Sequence, residues 1–228
     1  MDNGLAELAR RADALYDERA RVENVRASVE LLEPLTNEYE AAWRMGRALF
    51  FLGQEACDSF ESRTQHTRGT IICEHAARLA PSRVEGHFWL GVNLALLAQN
   101  EKPLKALRHA LRARRSLTRA ARLDASYHGA GPLRVLARLQ HKLPRLLGGG
   151  FRRARTNFER AIELAPANTV TRLYFAELLL ETKDTERARL ELETLLNAPQ
   201  DPAWAFESDR DRKLARAMLN ELPRQSSA

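Results

Sequence analysis

The stretch TVTRLYFAELLLETKDTERARLELETLLNAPQ, residues 169–200, decides the fold. Two apolar runs are parted by the polar triplet at 182–184. In the second run Ala188, Leu192 and Leu195 are spaced 4 then 3, so they share one helical face. The small residue lets a neighbouring helix come close, and the larger ones fill the groove between the two. The first run carries Phe175, Ala176 and Leu179, an apolar-small pair followed by an apolar residue three later. The breaker NAPQDP at 197–202 then ends the unit. The pattern predicts a helical hairpin.

Three earlier segments repeat this pattern. The second-helix signature recurs as Gly69/Cys73/Ala76/Pro81, Ala113/Leu117/Ala120/Ala125 and Ala154/Phe158/Ala161/Pro166, with Gln200 in the terminator position of the last unit. The first-helix signature recurs as Met45/Gly46/Leu49, Leu90/Gly91/Leu94 and Leu136/Ala137/Gln140. Together these residues resemble the tetratricopeptide repeat, whose helix pairs carry a Leu-Gly pair, alanine, an aromatic, alanine and proline at fixed offsets. Only the last unit keeps the standard 12-residue interval, Ala176 to Ala188; the corresponding intervals are 23, 22 and 17 residues in the first three. Long second helices or extended loops must absorb the surplus.

The expected fold is therefore all-α, a right-handed solenoid of antiparallel hairpins with capping helices at both ends. First helices are predicted near 37–52, 83–98, 132–142 and 168–182, and second helices near 60–79, 104–123, 151–164 and 185–197. One domain is expected over 1–228: an N-terminal helix pair in 1–35, four degenerate repeats in 36–202, and a capping helix with tail in 203–228. Composition agrees, since 36 Leu and 35 Ala against ten Val plus Ile place the apolar content in helix formers and leave little for a sheet.

Charge is segregated along the chain. Residues 102–158 hold 15 Lys/Arg against the single acid Asp124, a net +14, whereas the remainder holds 21 basic and 29 acidic residues, a net −8. Lys105, Arg108, Arg112, Arg115, Arg119 and Arg122 recur at 3, 4, 3, 4, 3, one continuous stripe on a helix. Such a stripe is either a solvated face balanced by acidic helices nearby or a docking face for an acidic partner, an anionic ligand or acidic lipid headgroups. Nucleic acid is disfavoured, because the only aromatics in 102–158 are Tyr127, Phe151 and Phe158 and no nucleic-acid motif is present.

The segment DASYHGAGPLRVLARLQHKLPRLLGGG, 124–150, frames a short helix starting at Pro132 with glycines and prolines at both ends. Neither glycine cluster has phosphate-loop spacing. GHFWLGVNLALLAQ at 86–99, YHGAGPLRVLARLQHKLPRLLGGG at 127–150 and FERAIELAPANTVTRLYFAELLLE at 158–181 resemble the T component of tripartite ATP-independent periplasmic (TRAP) transporters. That resemblance implies a degenerate tetratricopeptide protein of the bacterial envelope that associates with a periplasmic substrate-binding component and self-assembles as a homo-oligomer. It implies ligand-facing residues on the first helices and in the framed segment: Trp89, Asn93, Tyr127, Arg134, Arg138 and His141. Read from the residues alone, Trp89 and Tyr127 serve equally well as core, and Arg134 and Arg138, four apart, suit either a carboxylate clamp or ion pairs with a neighbouring helix.

Family members carry an export leader with a lipid-attached cysteine, whereas MDNGLAELARRADALYDERA is charged from its second residue and shows no apolar signal core. As written, the expected compartment is the cytoplasm, where a tetratricopeptide scaffold acting through a basic surface is the alternative reading; a removed leader would put the chain in the periplasm or on a lipid anchor. No apolar run approaches a spanning helix, with about 18 or more residues needed. Cys57 and Cys73 do not form a metal-ligand pattern, Cys73 reads as a small buried residue, and the six histidines are scattered. No metal site and no cofactor is expected. With no nucleophile elbow or recognised catalytic motif, binding is expected in place of catalysis.

Overall fold

The computed structural model describes residues 3–99 and 101–222. Among these residues the chain forms eleven α-helices and three short 3-10 turns, with no strand. Its contacts divide it into two compact units, Met1–Asp124 and Ala125–Ala228. The first unit holds α1 (Asn3–Asp17), α2 (Val22–Leu32), α3 (Tyr39–Gln54), α4 (Ser59–Leu79), α5 (Val84–Gln99) and α6 (Pro103–Leu123). The second holds α7 (Tyr127–Lys142), α8 (Phe151–Leu164), α9 (Thr169–Glu181), α10 (Thr185–Asn197) and α11 (Ala205–Glu221).

Successive helices pack as hairpins: α1 with α2, α3 with α4 and α5 with α6 in the first unit, α7 with α8 and α9 with α10 in the second, where α11 covers α9 and α10. The ends predicted for the eight repeat helices are met within two residues everywhere but at the start of α7. The surplus length lies in the second helices, since α4 and α6 run 21 residues against 14 for α8 and 13 for α10. Local chemistry sets the boundaries. Asp58 accepts from the Phe60 and Glu61 amides at 2.8 Å and so starts α4, and Asn168 accepts from Thr171 N to start α9. Pro103 opens α6, where its missing N–H costs nothing.

Small residues determine how closely the helices approach. A Cβ on Gly46 of α3 would sit 2.0 Å from Cys73 Sγ of α4, one on Gly69 of α4 2.4 Å from Asn93 Oδ1 of α5, and one on Gly91 of α5 2.6 Å from Leu117 Cγ of α6. The same relation continues with alanine in the second unit. Ala137 and Ala154 share a buried cluster with Phe158 and Phe175, and Ala176 shares one with Leu192 and Leu195. Gly46, Gly69, Gly91, Ala113, Ala154, Ala161, Ala176 and Ala188 are all buried, as the repeat register requires.

One polar knot crosses the first unit. Asn93, fully buried, donates through Nδ2 to the carbonyls of Gly46 at 3.2 Å and Trp89 at 2.9 Å, and its Oδ1 lies 3.2 Å from His66 Nδ1. It thereby ties α3, α4 and α5 together with its hydrogen-bonding capacity used internally. In the second unit Glu191, 3% exposed, pairs with both Arg172 and Arg187.

Two outcomes follow for stability. Ala161→Leu, which adds three carbons at a fully buried contact in α8, is expected to lower unfolding free energy by about 1–3 kcal/mol in urea titration. Burial, opposed by the Asn93 contact, lowers the pKa of His66, so the folded chain binds its proton more weakly than the unfolded one. Stability from this group is present above the unfolded pKa of about 6.5 and is lost as pH falls below it. The urea midpoint should therefore drop between about pH 7.5 and 5.5, and more shallowly in His66→Gln, whose side chain takes up no proton.

Candidate functional site

The sequence HGAGPLR, 128–134, builds the most distinctive feature of the second unit. His128, Gly129 and Ala130 have φ of 52°, 60° and 57°, a full left-handed turn ahead of the right-handed helix. The expectation of a helix from Pro132 matches the right-handed part; the left-handed turn in front of it had no counterpart in the reading. Two of its three residues carry a Cβ, so the turn is strained and must be held by its surroundings.

Arg134 holds it. Its Nη1 donates to Gly129 O at 2.7 Å and to Asn168 Oδ1 at 3.3 Å, and Nη2 lies 3.5 Å from His128 O. The residue is 4% exposed, and its guanidinium lies over the Trp204 ring at 5.3 Å. No carboxylate lies within ion-pair distance of it among the described residues. Burial pulls its pKa down to about 10, against the distant attraction of Asp211 and Glu207. It nevertheless stays charged at neutral pH, a buried cation neutralised only by dipoles.

In front of this group lies a cleft of about 170 Å³, lined by Gly129, Pro166, Asn168, Thr169, Trp204 and Ser208 among others. The His128 ring meets the Trp204 ring at a tilt of 43°, with centroids 4.7 Å apart. Behind Thr169, whose Oγ1 donates to Asp211 Oδ2 at 2.8 Å, the Asp211 carboxyl is fully buried and its pKa is raised by that burial. The cleft thus offers an apolar wall, an amide, two hydroxyls and, at Asp201, a carboxylate. Among the described residues no group of three or more His, Cys, Asp or Glu is placed to hold a metal ion.

Of the other residues singled out in the sequence, Arg138 takes the ion-pair alternative: it bonds Glu177 of α9 and lies over the Tyr174 ring at 4.5 Å. One turn on, the enclosed His141 ring has Nε2 2.8 Å from Glu181 Oε2, and Lys142 bonds the same carboxylate. Burial lowers the His141 pKa despite Glu181. Tyr127 is half-buried beside His128. Trp89 and Asn93 belong to the first unit and lie in its core, Trp89 at 1% exposure against Phe50 and Phe88. Trp204, Asn168 and Asp211 escaped the sequence reading; a lone tryptophan inside the proline-flanked breaker at 199–204 was the one available signal.

On α6, Lys105, Arg108, Arg115, Arg119 and Arg122 are exposed, while Arg112 is half-buried and paired with Glu74 at 3.0 Å. Arg119 donates to the carbonyl of Pro81 at 3.3 Å. Cys57 and Cys73 are both free thiols, the first exposed and the second buried.

Residues 40–223 match the sequence model of the TRAP transporter T-component family. The chain belongs to that family. No curated protein matches it. A thermophilic tetratricopeptide protein of Thermus thermophilus shares the fold of this T-component at 18% identity and a TM-score of 0.71, covering 95% of this chain and 99% of its own. Yeast Tom70 aligns at 15% identity and a TM-score of 0.44, over 87% of this chain and 43% of its own. Family and fold together make the T-component a helical binding or scaffold protein. No described helix is long and apolar enough to cross a membrane.

The two arginines of α7 should respond differently to truncation. Arg134→Met removes a buried donor from two backbone carbonyls, while Asn168 Oδ1 keeps its bonds from Thr171, and is expected to cost about 2–3 kcal/mol in chemical denaturation. Arg138→Met opens a half-exposed pair and is expected to cost under about 1 kcal/mol.

Proposed function

We propose that this T-component is a non-enzymatic binding protein that associates with the substrate-binding component of its transporter and receives a small apolar or anionic group in the cleft at Trp204. The observation that carries the reading is Arg134, a buried cation without a carboxylate partner among the described residues, bonded to Gly129 and Asn168 of the cleft wall. Its uncompensated charge favours an anion in front of it, and the Trp204 face favours an apolar body attached to that anion. The family match over 40–223 supports a role beside a substrate-binding protein.

The test is titration calorimetry between the purified chain and the substrate-binding component encoded beside its gene. Binding is expected, and Trp204→Ala, at a half-buried position, should weaken it about tenfold, or about 1.4 kcal/mol, with unchanged far-ultraviolet dichroism. Absence of binding by the unaltered chain would sink the association, and an unaffected Trp204→Ala would sink the cleft as its site.

A further inference from the structure

The basic face of α6 is independent of the cleft. Counting about 100° per residue, Leu104, Arg108, Arg115, Arg119 and Arg122 fall within about 60° of one another. The buried residues Ala110, Ala113, Leu117 and Ala120 occupy the opposite side. The row from Lys105 to Arg122 extends over about 26 Å. Elsewhere the protein supplies carboxylates to its arginines: Arg44 meets Asp13 and Glu40, Arg83 meets Glu40 and Glu85, and Arg155 meets Glu159 and Asp184. Lys105, Arg108, Arg115 and Arg122 form no ion pair among the described residues, and α6 carries no acidic residue. Arg112, at the edge of the row, turns to Glu74.

Leu104 stands at the start of the same sector with 75% of its surface exposed. The pattern is a straight line of long, flexible cations with an apolar side chain at one end. A protein partner would need a row of acids in matching register. A fluid surface needs none, because its headgroups move to the fixed charges while the leucine enters the interface. Nucleic acid fits less well, since no aromatic residue lies on α6 to stack a base.

We propose that the α6 face docks on an anionic phospholipid bilayer through Lys105, Arg108, Arg115, Arg119 and Arg122, with Leu104 inserted at the interface. The binding is peripheral, driven by headgroup charge, and weakened by salt. It holds whether or not the cleft takes a ligand.

The experiment is co-sedimentation of the full chain with vesicles of phosphatidylcholine alone or containing about one third phosphatidylglycerol. Partition onto the anionic vesicles alone is expected, falling about tenfold or more when salt rises from about 0.05 to 0.5 M. The triple variant Arg115→Glu/Arg119→Glu/Arg122→Glu should lose that partition, Leu104→Ser should weaken it, and Arg10→Glu/Arg26→Glu, which reverses two cations of α1 and α2, should leave it intact. Dichroism of each variant checks that it is folded. Equal partition onto both vesicle types, retention by the folded triple variant, or failure of the unaltered chain to bind anionic vesicles would each overturn the proposal. Loss by the triple variant of binding to the purified substrate-binding component, without vesicle binding by the unaltered chain, would assign the face to a protein instead. No second protein is present in the vesicle assay, so its outcome is separate from that of the association described above.

Discussion

How near two helix backbones can come is limited by the side chains between them, and in the first unit that limit is set by three hydrogens. Gly46, Gly69 and Gly91 each leave the volume of a methyl group to an atom of the next helix: a sulfur, an amide oxygen and a leucine branch in turn. The two inner helices, α4 and α5, therefore each receive a side chain and supply one, so α3 to α6 form a chain of dependent contacts. Their polar counterpart is Asn93, which fills the recess left by Gly69 and bonds the carbonyl of Gly46 in the same stroke. A substitution at any one of these positions alters the spacing on which the next hairpin rests.

The second unit reaches the same end with alanine and rings. Phe158 and Phe175 meet with centroids 5.6 Å apart beside Ala137 and Ala154. Its polar groups are treated differently. Glu191 is surrounded by two arginines, whereas Arg134 is left with backbone carbonyls and an asparagine. A charge satisfied by dipoles retains its field, and in this molecule that field is aimed at the left-handed turn and the cleft in front of it.

The helices were legible because their signals are local. Leucine and alanine at helical spacing, and prolines just past α4, α8 and α10, mark those boundaries without reference to tertiary structure. The site was legible only in part. Arg134 and Arg138 stand four apart and read alike, yet one meets carbonyls and the other Glu177, because the difference is made by α9 and the turn, both distant in sequence. The left-handed turn gave no warning at Ala130, a residue that ordinarily avoids that conformation. Trp89 and Asn93 sit in a helix apolar on nearly all sides, where periodicity cannot separate an inward face from a ligand face. The stripe on α6 was visible as spacing, but that Arg112 alone of its six cations pairs with a carboxylate among the described residues is a property of the packed helices.

The two cysteines show a different consequence of the glycine contacts. Cys57 is open to solvent in the turn after α3, whereas Cys73 fills the recess at Gly46 and its thiol is held far above its ordinary pKa by complete burial. Thiolate chemistry at Cys73 is closed until α3 and α4 part. The chain thus carries one thiol that accepts a label in the native state and a second whose alkylation rate times the opening of the very contact that spaces the first hairpin.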